Sequence, residues 1–264
     1  MGSGREPVTT SGEQTEGHFL SPKLEELSNR AFELFPVKRP VSLQVCTLCC
    51  MNPETEQDIL NRARDNISTD MLSEWLGAAF NDAPEGASVF FWFLPSIAKY
   101  LAQGHEISFC GTELALGRAL TTESPIQNWN SEQRTWMQDF ATSLLAAQCW
   151  QKAPDLDTFL CMLLSGGMSA EMAITCLKQL PLADFAIAMN RDVEQGTLIG
   201  SSAFWKPELE QSTRFLASLS DWFQSETLAD ELLALACQPD ASPELMQATA
   251  WFPWPLDRRV NTTS

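Results

Sequence analysis

Cys46, Cys49 and Cys50 form the compact cluster of reactive side chains in this sequence, in the run Cys46-Thr47-Leu48-Cys49-Cys50. Two thiolates separated by two residues can point at one centre in a tight turn, as in the C-x-x-C hook that grips zinc. A closed tetrahedral site needs further ligands, and the chain offers a second hook, the H-x4-C pair His105 and Cys110. The candidate metal set is therefore Cys46, Cys49, Cys50, His105 and Cys110. A C-x-x-C dithiol also supports redox chemistry, and Asn52-Pro53 opens a helix just beyond it, whose positive end favours a thiolate. The βαβ context of a thioredoxin-like enzyme is missing. The default is a reduced cysteine turn at the base of that helix with no cofactor, and zinc is the alternative.

Other chemistry is thinly supplied. The chain has 2 histidines, and His18 sits at the edge of a polar N-terminal stretch. No G-x-S-x-G elbow, phosphate loop, dinucleotide fingerprint or H-E-x-x-H pair occurs, so no catalytic residue is assigned. Glu54, Glu56, Asp58, Glu208, Glu210, Asp230 and Glu231 read as solvated acids in first helical turns, where the helix dipole favours them. Cys149, Cys161, Cys176 and Cys237 lie on apolar helical faces and read as small core hydrophobes. Near the C-terminus, Trp251, Phe252 and Trp254 alternate with prolines. They either anchor a partner or fold back over the last helix.

The elements that must position these groups are helical. Ser21-Pro22 and Asn52-Pro53 pair a cap with proline at the first helical position. Helices are expected at Val89–Gln103, kinked or restarted at Pro95, and at Thr112–Leu120. Others follow from Ser131, at Asp155–Leu164, Ser169–Leu180, Pro181–Asn190, Pro207–Gln224, Glu226–Cys237 and Pro243–Phe252. Gly196 and Gly200 place a loop or small hairpin within 192–204. The fold class is all-α: an irregular array of about a dozen helices with a short cysteine-containing loop near the N-terminus. The stacking of helix pairs is like that of helical-repeat proteins, although no fixed period is visible. Residues 1–18 read as a disordered lead-in rather than a signal peptide, and 19–264 as one helical domain with a soft sub-boundary near 152–155.

Composition bounds the partners. The 264 residues carry 17 Lys and Arg against 34 Asp and Glu, a formal charge of −17. That charge opposes binding to nucleic acid and to anionic membranes, and no apolar run approaches the ~20 residues of a membrane span. Eight cysteines without a secretion signal fit a reducing cytoplasm.

Three stretches carry a resemblance: Cys49-Cys50-Met51-Asn52-Pro53-Glu54, Phe91-Trp92-Phe93-Leu94-Pro95 and the tryptophan-bearing helix from Trp129 to Leu145. Together, over Cys46 to about Trp150, the chain resembles an uncharacterised family of bacterial cytosolic proteins. Members commonly carry a polar pair such as Arg-His before Phe-Leu-Pro, where this chain has Phe91-Trp92. The resemblance implies an all-α fold and a cytosolic setting, and it brings no activity.

The functional expectation is a non-catalytic acidic binding protein, in its most concrete form an immunity protein that neutralises a basic toxin or effector. The alternative is a thiol- or zinc-dependent sensor built on Cys46, Cys49 and Cys50. An enzyme of unrecognised type is third.

Overall fold

Short polar side chains start most of the helices. In the computed structural model, which describes residues 21–79, 86–121, 125–206 and 209–256, Ser21 caps α1 (Pro22–Leu34) and Asn52 caps α2 (Pro53–Asn61), each with proline in the first turn. Ser68 caps α3 (Thr69–Gly77). Then come α4 (Gly86–Ala102) and the short α5 (Arg118–Thr121). Asn130 and Gln133 form a reciprocal capping box on α6 (Ser131–Cys149). Asp155 caps α7 (Leu156–Ser165) and Ser169 caps α8 (Ala170–Lys178). The set closes with α9 (Leu182–Gln195), α10 (Glu210–Phe223), α11 (Glu226–Ala236) and α12 (Pro243–Ala250). Among the described residues there are 12 α-helices and no β-strand, so the fold is all-α. The expected lead-in at 1–18, with His18, lies outside the described residues, as does Glu208.

Three expectations about helices change. α9 continues past Asn190 to Gln195, so the loop expected within 192–204 begins only at Gly196. The stretch Thr112–Leu120 is not one helix but a 3-10 turn at Thr112–Leu114 followed by α5. Gly111 enters it at φ 114°, and Gly117 is a poor helix former. Pro95 neither ends α4 nor restarts it. Proline removes the N–H that would bond the carbonyl four residues back, here that of Phe91. The Arg64 guanidinium donates to that carbonyl instead, and also to those of Trp92 (2.6 Å) and Phe35 (2.8 Å). Burial pulls the Arg64 pKa down to about 10, so the cation persists at neutral pH.

The first half packs around Phe35. Its ring stacks on Phe91 at 5.4 Å and meets Trp129 and Trp136 edge-on at 5.2 and 5.3 Å. α4 is apolar almost all round and is buried to match, from Val89 to Leu101. α6 packs against α1 and also against α8 and α9, so one buried cluster runs from Leu24 to Trp254 across residues 152–155. Among the described residues no single helix is long and apolar enough to cross a membrane.

Candidate thiol site

The cysteine turn is held at both ends. Gln44 enters it at φ 58°, in the left-handed region, and the Cys46 N–H donates to the Ala79 carbonyl at 2.8 Å. The N–H groups of Cys50 and Met51 both return to the Cys46 carbonyl, at 3.2 and 3.1 Å, closing one tight turn. Met51 is buried, and Asn52 Oδ1 accepts the Glu54 N–H at 2.9 Å to begin α2. Between these anchors, Leu48 projects almost fully into solvent.

Within that turn Cys46 Sγ lies 3.3 Å from Cys49 Sγ, which lies 3.2 Å from Cys50 Sγ. All three sulfurs fall within 4.8 Å of one another. Cys46 is half-buried, and Cys49 and Cys50 are exposed. The Cys46 thiol is pulled below its ordinary value, first by its hydrogen bond with Cys49 and then by the backbone N–H groups of Leu48 and Cys49. Cys49 is pushed up to about 12, chiefly by its contacts with Cys50 and Cys46. Of these two, Cys46 is the thiol that ionises first.

Tetrahedral zinc with Zn–S bonds near 2.3 Å spaces its sulfurs about 3.8 Å apart. Rotations of exposed cysteine side chains supply that difference, so the three sulfurs fit as ligands of one ion. His105 and Cys110 are not members of the group. His105 donates its N–H to the Tyr100 carbonyl at 2.9 Å, and its ring meets the Tyr100 ring edge-on at 5.6 Å. It lines a separate cleft of about 350 Å³ with Glu106, Gln148 and Asp155. Cys110 is exposed and donates its N–H to Ser108 Oγ at 3.2 Å.

The aromatic tail divides. Trp254 is buried edge-on against Phe185 and Phe223, at 5.7 and 5.3 Å, and Phe252 packs on it at 5.2 Å. Trp251 stays 59% exposed. A groove of about 670 Å³ opens nearby, with Phe185 and Trp222 stacked in its wall and Lys178, Asp221 and Glu231 around it. Cys149, Cys161 and Cys176 are buried as expected, whereas Cys237, at the end of α11, is exposed.

Two buried carboxylates had no sequence signal. Asp157, in the first turn of α7, accepts from the N–H groups of Gly200 (2.6 Å) and Ser202 (2.7 Å), Trp205 Nε1 (2.6 Å) and Ser201 Oγ (3.2 Å). Burial raises its pKa while these donors oppose the rise. Every partner is a donor from one loop, so this carboxylate fastens that loop to α7. Asp192 is equally buried, and only its Oδ2 has a partner, the Leu156 N–H at 3.3 Å. Burial, with smaller contributions from Asp155 and Asp157, pushes its pKa up to about 7. Glu56, expected on a solvated face, is instead buried and accepts from the Leu43 N–H at 2.6 Å and Ser42 Oγ at 2.9 Å. Asp58, Asp230 and Glu231 fall in mid-helix rather than in a first turn.

Fold and site together define a class: an all-α protein carrying a surface three-thiol turn just before the N-cap of a helix. Beyond that class, no protein-family model, no curated protein and no solved structure matches the chain.

Proposed function

We propose that the chain is a thiol-based sensor protein whose Cys46, Cys49 and Cys50 thiolates take one thiophilic metal ion of the zinc class. The observation that carries this reading is the convergence of three sulfurs within 4.8 Å on a turn fixed at both ends. Three protein ligands leave a fourth position for solvent or a second molecule, the open arrangement of zinc sites that exchange ligands. His105 and Cys110 then stand outside the site. The test is metal analysis of reduced, untagged protein, with zinc titrated against a chromogenic chelator. One zinc per chain is expected, retained in Cys110→Ser and His105→Ala and lost in Cys46→Ser, Cys49→Ser and Cys50→Ser. Metal-free protein with an unchanged helical circular-dichroism spectrum refutes it.

A second reading is an acidic binding protein that captures a basic partner, an immunity protein against a toxin being its most concrete form. It is favoured by the exposed Leu233, Met246 and Trp251, carried on or just after the neighbouring helices α11 and α12. The formal charge of −17 adds electrostatic attraction to any basic surface. Copurification from the native cell tests it, and recovery of no basic protein counts against it. Both readings belong to a reducing cytoplasm.

A further inference from the structure

We propose that Cys46 and Cys49 are a reversible dithiol–disulfide pair, closed by hydroperoxides, and that closing it dismantles the three-sulfur set. The geometry selects the pair. A disulfide joins Cα atoms roughly 4.4–6.8 Å apart. Adjacent residues such as Cys49 and Cys50 are fixed about 3.8 Å apart by their trans peptide, too close for an unstrained bridge. Cys46 and Cys49 are three residues apart on a turn closed by the Cys50 N–H to the Cys46 carbonyl. In helical geometry that spacing gives about 5 Å between Cα atoms, inside the range. Their sulfurs already touch at 3.3 Å, and contraction to the bonded distance of about 2 Å needs only side-chain rotation at a surface turn.

The chemistry balances with a hydroperoxide as oxidant. One sulfur of the pair, as thiolate, attacks the peroxide oxygen; the O–O bond breaks, hydroxide leaves, and the sulfur becomes a sulfenic acid. The second thiol attacks that sulfur, the S–S bond forms, and the sulfenic oxygen departs as water. The second thiol's proton leaves in that water, and the proton the first thiol lost on ionising neutralises the hydroxide. Two thiols and hydrogen peroxide thus give one disulfide and two waters. Cys50 remains a single thiol, unable by itself to hold the ion.

The consequence for metal rests on the sensor reading above, whereas the pair itself does not. The full-length chain, reduced and stripped of metal, is treated with hydrogen peroxide and alkylated with a maleimide. The tryptic peptide covering residues 39–62, which contains all three cysteines, is then weighed. The expected product has lost two hydrogens and carries one maleimide instead of three. It forms equally in Cys50→Ser apart from the missing label, is absent in Cys46→Ser and Cys49→Ser, and is reversed by dithiothreitol. Cys110 and Cys237, exposed outside the group, keep their labels throughout. Three maleimides after peroxide, or a bridge that survives in Cys46→Ser, overturns the proposal. The same treatment of zinc-loaded protein is expected to release its ion to the chelator, and closure without release overturns the dismantling step. If zinc never binds and the pair still closes, the sensor reading falls and the disulfide stands. If zinc binds and the pair never closes, the reverse holds.

Discussion

Asp192 makes the stability of this protein depend on pH in an unusual direction. Its carboxyl is 2% exposed, one oxygen has no partner, and burial first, then Asp155 and Asp157, lifts its pKa from 3.8 to about 7. Because the folded value lies above the unfolded one, Asp192 favours folding most below pH 3.8. The contribution declines as the unfolded state ionises and is gone once pH passes about 7. The full shift of about three units corresponds to about 4 kcal/mol, and the span from pH 5 to pH 8 covers about 3 kcal/mol of it. Asp192→Asn keeps an oxygen to accept the Leu156 N–H and has no charge to bury. Urea unfolding at pH 5, 6, 7 and 8, on wild type and variant, reads the difference directly. The wild-type midpoint is expected to fall by roughly 1 M relative to the variant across that span, with unfolding slopes unchanged. Parallel curves for the two proteins would refute the reasoning, because they would mean that Asp192 is as ionised in the folded chain as in the unfolded one.

Two further outcomes are expected. Arg118 donates to the carbonyls of Trp75, Leu76 and Ala78 at the end of α3 and lies 5.1 Å from the Trp75 ring centroid. Arg118→Leu leaves those carbonyls without this donor and should cost about 3–5 kcal/mol in urea unfolding; Arg118→Lys, a point charge without the planar fork, should recover only part of it. Trp254→Ala should cost about 3–5 kcal/mol as a core truncation, while Trp251→Ala should stay within about 0.5 kcal/mol. If a basic partner is captured, only the Trp251 change should weaken it without loss of thermal stability.

The helices were legible where short-range chemistry sets them. Ser21-Pro22 and Asn52-Pro53 each start a helix with the cap bonded as the residue types require. The thiol cluster was legible because its members are at most four residues apart, so any tight turn brings the sulfurs together. The second hook at His105 and Cys110 was a product of spacing alone, and chain direction after α4 carries His105 into a different cleft. Arg64 and Arg118 escaped notice because a single charge in a polar-looking stretch gives no sign of burial; the missing N–H of Pro95 was the available clue for Arg64. Asp157 escaped because its donors lie more than 40 residues away, and residue types alone do not encode a bond of that separation.

The tethered ends of the cysteine turn bear on affinity. Fixing the backbone of one residue costs roughly 1–2 kcal/mol in conformational entropy. In a free peptide with the sequence Gln44–Glu54, a metal ion would have to order the whole turn to gather its sulfurs. In the folded chain that ordering is already supplied by the bond from Cys46 to Ala79, by Met51 in the core and by the Asn52 cap. Ordering even two or three residues in advance corresponds to roughly thirtyfold or more in binding constant. On the sensor reading proposed above, the scaffold would act as a preorganised chelator: helices that touch no ion would set how tightly one is held, and unfolding them would release it without any change at the sulfurs.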